Sequence, residues 1–92
     1  MNNSEEASLI QVAPVMFDVI DEIYRAIDKH TWKNTPLNSE NDLRDSYIIL
    51  AEEVGEVARA LTRDEGSMRN LEEELIQVAA MASAMVVGIR GR

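Results

Sequence analysis

Apolar residues recur at helical spacing through three segments of this chain and alternate as a strand would in none. In the first segment Val15, Met16, Val19, Ile20, Ile23 and Ile27 oppose Asp18, Asp21, Glu22, Arg25 and Asp28, which predicts an amphipathic helix from Pro14 to Lys29 or His30. Proline suits the first position of a helix, where its missing N–H is not needed. The stretch HTWKNTPLNSEN carries enough Pro, Asn, Ser and Thr to be a loop. A second helix is expected to start near residues 39–41, any of which can cap it, and to run to about Arg63, with Tyr47, Leu50, Val54, Val57 and Leu61 as its core stripe. DEGS, residues 64–67, reads as a turn. A third helix follows from Ser67 or Asn70 to about Ile89; Asn70 with Glu73 three residues on matches a capping box, and Leu75, Ala79, Ala82 and Val86 form the expected core stripe. Two long helices joined by so short a turn make an antiparallel hairpin. The expected fold is all-α, a single domain over 1–92, with 1–12 a loose lead-in in which Ser4 is a candidate cap.

The run LIQVAAMASAMVVGI, residues 75–89, is free of charge but shorter than the roughly 20 residues a membrane span needs. A helix apolar all round has to be covered all round, and 92 residues supply few elements to do so. Self-association into an oligomeric four-helix-bundle core is the expectation, as a homodimer or homotetramer. The net charge of −8 disfavours a nucleic-acid polymer or an anionic membrane as partner. There is no cysteine, so disulfides and thiolate metal sites are excluded. The start, MNNSEEAS, lacks the basic and apolar regions of a signal peptide, and a cytoplasmic protein is expected.

One stretch departs from the amphipathic pattern. LAEEVGEV, residues 50–57, sets Glu52, Glu53 and Glu56 in an otherwise apolar segment. Glu53 and Glu56 fall on a stripe with Ile49 and Ala60, and Arg59 and Arg63 lie further round. The third helix repeats the arrangement with Glu74 and Gln77, three apart. With the turn near residue 65, Glu56 and Glu74 come level, and Glu53, Glu56, Glu74 and Gln77 can converge between the helices. Two readings stand side by side at this point. Crowded acids repel and resist burial, so either water solvates them as one face of the hairpin, or a hard cation such as Mg²⁺, which takes oxygen ligands, gathers them.

LAEEVGEVARAL, a short linker and NLEEELIQVAAMASAMV together resemble the MazG-like all-α nucleoside triphosphate pyrophosphohydrolases, whose signature is E-E-x-x-E on one helix and E-x-x-D on the next. The resemblance spans residues 15–90 and is strongest over 50–86; HTWK resembles the tryptophan-bearing loop ahead of the first acidic helix. It implies hydrolysis of a (d)NTP to the monophosphate and pyrophosphate, with Mg²⁺ as cofactor and Mn²⁺ as a substitute, in nucleotide-pool housecleaning. It also implies Glu53, Glu56 and Glu74 as metal ligands and Glu52 as the residue that positions or deprotonates the attacking water. Gln77 stands where the signature has aspartate. Its amide oxygen ligates but brings no charge, which leaves open a working variant or a catalytically impaired relative that binds nucleotide and metal. Trp32 would stack on the base, with Lys29, Lys33 and His30 near the phosphates; the alternative is that Trp32 only pins its loop. A structural oligomerisation module is the competing reading from outside enzymology.

Overall fold

The computed structural model of the protein describes residues 1–62 and 68–92, apart from the side chains of Met68 and Arg69. The described residues are helical and contain no strand. Four α-helices follow one another: α1 (Asn3–Ile10), α2 (Val12–His30), α3 (Leu43–Thr62) and α4 (Met68–Arg90), with a 3₁₀ turn at Trp32–Asn34. The N-terminal segment is thus itself helical. Asn2, not Ser4, caps α1: its Oδ1 accepts from the Glu5 N–H at 2.8 Å while Glu5 Oε2 accepts from the Asn2 N–H at 3.1 Å. This reciprocal pair needs an acid three positions after the cap, which Asn2 has and Ser4 lacks. Helix α2 begins at Val12, two residues ahead of Pro14. Pro14 remains in the first turn, where N–H groups have no acceptor within the helix.

Helix α3 starts later than residues 39–41. Asp42 is its cap, with Oδ1 accepting from the Arg44 N–H at 2.8 Å. Asn38 and Asn41 are occupied instead in tying the connecting loop: Asn38 Nδ2 donates to the Lys33 carbonyl at 3.0 Å, and Asn41 Nδ2 to those of Lys33 and Thr35 at 3.0 and 2.8 Å. Asn70 is the third residue of α4 rather than its cap. The expected turn at 64–67 lies outside the described residues.

Helices α2 and α3 both pack against α4, and the small residues of α4 explain how. Ala80, Ala84 and Gly88, spaced four apart on one face, are its buried positions. The connecting loop crosses Gly88 so closely that a Cβ there would overlap the Pro36 carbonyl. Both expected core stripes are therefore corrected in part. Leu50, Val57, Ala79 and Ala82 are half-buried, but Tyr47, Val54 and Leu61 of α3, and Leu75 and Val86 of α4, are exposed, whereas Ser46 is buried and Glu53 half-buried. An all-round apolar helix has more than one face to offer, and the close approach selected the one with small side chains.

The consequence is an unusually bare molecule. Among the described residues only Val19, Ala80 and Ala84 form a buried apolar core, while Ile10, Phe17, Tyr47 and Leu61 are each more than 60% exposed. The radius of gyration is 15.0 Å, against about 12 Å for a compact domain of this length. No helix among the described residues is long and apolar enough to cross a membrane.

Candidate functional site

Of the α3 acids, Glu52 and Glu56 are exposed and Glu53 is half-buried. Glu53 lies on the side of its helix that turns inward, and one of its oxygens, Oε2, is buried without a hydrogen-bond partner. From α4, Glu74 presents a second such oxygen, also Oε2. Burial pushes the Glu53 carboxyl above the ordinary carboxylate range, and the charges of Glu56, Glu74 and Glu22 push it further. Glu74 is raised for the same first reason, then by a side-chain hydrogen bond with Glu56 and by the Glu56 and Glu73 charges, with Arg59 acting in the opposite direction. Such groups ionise reluctantly because a buried negative charge has lost its water and gained like neighbours.

Three concavities meet here. The largest, about 600 Å³, lies between α2 and α3 on a floor formed by α4. Glu22, Glu53 and Gln77 mark one part of its lining, Ile23, Ala26, Ile49 and Met81 supply apolar wall, and Lys29, His30 and the loop residues Asn34–Leu37 complete it. A polar groove of about 530 Å³ is lined by Glu56, Arg59, Asn70, Glu74 and Gln77 among others. A third, of about 400 Å³, runs between α2 and α4 and is dominated by Asp18, Asp21, Glu22, Glu72 and Glu73. Gln77 borders all three.

The structure therefore brings Glu53, Glu56, Glu74 and Gln77 to one junction, together with Lys29 at the cavity. It does not bring the other candidates there. Glu52 is exposed and borders none of the three concavities. Trp32 is 53% exposed and Lys33 is exposed, and neither lines the large cavity. Their carbonyls instead serve the loop, that of Trp32 accepting from Thr35 Oγ1 at 2.8 Å. His30, reached by the chain as the last residue of α2, does line it.

Glu22 is the residue that sequence reasoning placed on the outer face of its helix. Its side chain is only 21% exposed, pairs with Arg25 Nη1 at 3.2 Å and lies near enough to Glu53 to raise it. The signal was present: Glu22 is three residues after Val19 and four before Ala26, within the apolar stripe that α2 turns to α4.

Among the described residues no three His, Asp or Glu side chains are already drawn together as a metal cage. The donor set nevertheless suits a hard cation: all are oxygen donors, and two carboxylate oxygens on facing helices are buried with nothing to bind. Comparison of the chain with protein-family models, with curated proteins and with solved structures gives no match.

Proposed function

We propose that this chain is the subunit of a cytoplasmic, homo-oligomeric, Mg²⁺-dependent nucleotide pyrophosphohydrolase that cleaves a (d)NTP to the monophosphate and pyrophosphate, a housecleaning activity on the nucleotide pool. The observation that carries the reading is the pair of buried, unpartnered oxygens of Glu53 and Glu74, with Glu53 lining the cavity of about 600 Å³ and Glu74 the adjoining polar groove. Leaving such oxygens unmet costs stability. A ligand that satisfies them accounts for their retention.

Glu53, Glu56 and Glu74 would hold the ion, with the Gln77 amide oxygen as a neutral fourth donor. Bound there, Mg²⁺ or Mn²⁺ neutralises phosphate charge and makes a coordinated water more acidic. The chain itself supplies the rest. Ile23, Ala26, Ile49 and Met81 offer apolar contact to the nucleoside, and Arg25, Lys29 and His30 offer donors in the same cavity. The exposed position of Glu52 on a single chain lends no support to a general-base role; Glu22 is a further carboxylate that lines the cavity with Glu53. Assembly covers the apolar faces of α3 and α4 that a single chain leaves bare.

Gln77, where the signature has aspartate, favours a second reading, a relative that binds nucleotide without cutting it. The deciding experiment is pyrophosphate release from a panel of dNTPs and NTPs with Mg²⁺ or chelator, for the wild type and Glu53→Gln. Metal-dependent release that the variant loses is expected. Binding without release by the wild type selects the second reading, and indifference of every property to Glu53→Gln leaves only an oligomerisation module.

A further inference from the structure

The loop between α2 and α3, residues 31–42, forms part of the wall of the large cavity through Asn34, Thr35, Pro36 and Leu37. Its internal ties are local. Asn41 Nδ2 donates to the Lys33 and Thr35 carbonyls and Asn38 Nδ2 to that of Lys33, so Asn41 gathers the stretch that lines the cavity. The loop starts at Thr31, whose φ of 65° and ψ of 151° make a conformation that persists only where the surroundings hold it. Two features at the end of α4 supply that hold. Gly88 has no side chain where the Pro36 carbonyl crosses it. Beyond it, Arg92 Nη2 donates to the Asn41 carbonyl at 2.6 Å, across 51 positions of sequence. Arg92 is itself set in place: its N–H donates to the Ile89 carbonyl at 3.2 Å, and the Gly91 N–H to those of Val87 and Gly88 at 3.1 and 3.2 Å. The chain beyond α4 thus runs beside the loop, and a Cβ at Gly91 would come within 3.4 Å of the Ser39 Cβ.

We infer that Arg92 is a positioning residue for the cavity: by holding the Asn41 carbonyl it keeps residues 34–37 seated against α4, so that the cavity meets its ligand with that wall already in place. A guanidinium donates a charge-assisted bond to a carbonyl and stays charged throughout the working pH range. A wall set beforehand spares the ligand the cost of ordering it, and affinity rises by that cost. The inference rests on the nucleotide reading only for the identity of the ligand; the restraint on the loop stands on the hydrogen bonds themselves.

Two readouts test it in Arg92→Ala: amide hydrogen exchange of the loop, and calorimetric affinity for the α,β-imido analogues of the four dNTPs with Mg²⁺ present. Arg92 is exposed, so the variant is expected to fold, and unchanged helicity and urea midpoint verify it. The Thr35, Asn38 and Asn41 amides, which donate to the Trp32, Thr35 and Asn38 carbonyls, should exchange about tenfold faster, with amides in the middle of α2 and α3 unchanged. The analogue that binds best should bind about three- to tenfold more weakly. Arg92→Lys should recover part of both effects. Arg90→Ala, which takes the same charge from the last residue of α4, should change neither. If loop exchange is unchanged, or quickens without loss of affinity, Arg92 does not position the cavity. If Arg90→Ala weakens binding as much as Arg92→Ala does, long-range charge is at work instead and the inference falls. If the wild type binds none of the analogues, the nucleotide reading falls, and loop exchange alone then upholds or overturns the hold of Arg92 on the wall.

Discussion

Glu74 of α4 raises the affinity of Glu53 of α3 for its proton, and both carboxylates keep an oxygen buried without a partner. For an acid whose folded pKa is raised, the folded state holds the proton over a window in which the unfolded chain has lost it. Stability from these groups is therefore highest below the ordinary value of 4.5 and falls as pH rises through the window above it. Asp42, lowered by the backbone and side chain of Arg44, acts oppositely, losing its contribution as pH falls below its ordinary 3.8, so the two windows do not overlap. In chelator, the urea midpoint of the wild type should decline as pH rises above the ordinary 4.5, and the decline should be smaller in Glu53→Gln/Glu74→Gln. Equal slopes would mean that neither carboxyl holds its proton more tightly in the folded chain than in the unfolded one.

Gln77→Asp adds a charge where three carboxylates already repel. Without metal the variant should melt below the wild type. With saturating Mg²⁺ the order should reverse, because an ion that binds only the folded state stabilises it in proportion to its affinity. A variant that stays below the wild type in both conditions would show that position 77 does not face a bound cation.

Gly88 and Gly55 offer a matched pair. Alanine is the better helix former by about 1 kcal/mol, and nothing lies within 4 Å of a Cβ placed at Gly55. At Gly88 the same methyl meets the Pro36 carbonyl, an overlap of a kind that costs about 1–3 kcal/mol. Chemical denaturation should show Gly55→Ala stabilised and Gly88→Ala destabilised, the latter with the loop detached from α4 and thus with weaker nucleotide binding.

Thr31 ends α2 with φ 65° and ψ 151°, a backbone region that favours glycine. Such a conformation costs a β-branched residue of order 1–3 kcal/mol, part of which glycine returns through its greater freedom in the unfolded chain. Thr31→Gly should raise stability by about 1 kcal/mol, even though it removes the long 3.4 Å contact from Asn34 Nδ2 to Thr31 Oγ1. A loss of stability would assign Thr31 a contact worth more than its strain.

The exposed apolar faces predict that folding depends on concentration. Dilution by about a hundredfold should lower the unfolding midpoint, as it does wherever folding is linked to assembly. Leu61→Glu and Val86→Glu, at exposed positions of α3 and α4, should reduce the sedimenting mass and the midpoint together. A monomer as stable as the assembly would be irreconcilable with the three small or medium apolar residues that are buried among those described.

Helix existence followed from local pattern. The 3.6-residue spacing of Val19, Ile23 and Ile27, the loop chemistry of residues 31–41 and the pairing of Glu53 with Glu56 and of Glu74 with Gln77 are properties of each segment alone, so a reader of the chain recovers the three long helices and four of the junction residues. Caps were less legible, since Asn2 and Asp42 compete with nearby Ser and Asn residues that are equally able to accept a hydrogen bond until the loop claims them. Only the tertiary structure decided which face of α4 is inside. The chain offers a bulky stripe through Leu75 and Val86 and a small one through Ala80, Ala84 and Gly88, and periodicity ranks the bulky one first. Close approach of α2, α3 and the Pro36 loop requires the small one, which turns the large side chains outward and brings Glu22 to Glu53, a meeting between residues 31 positions apart that no local pattern encodes.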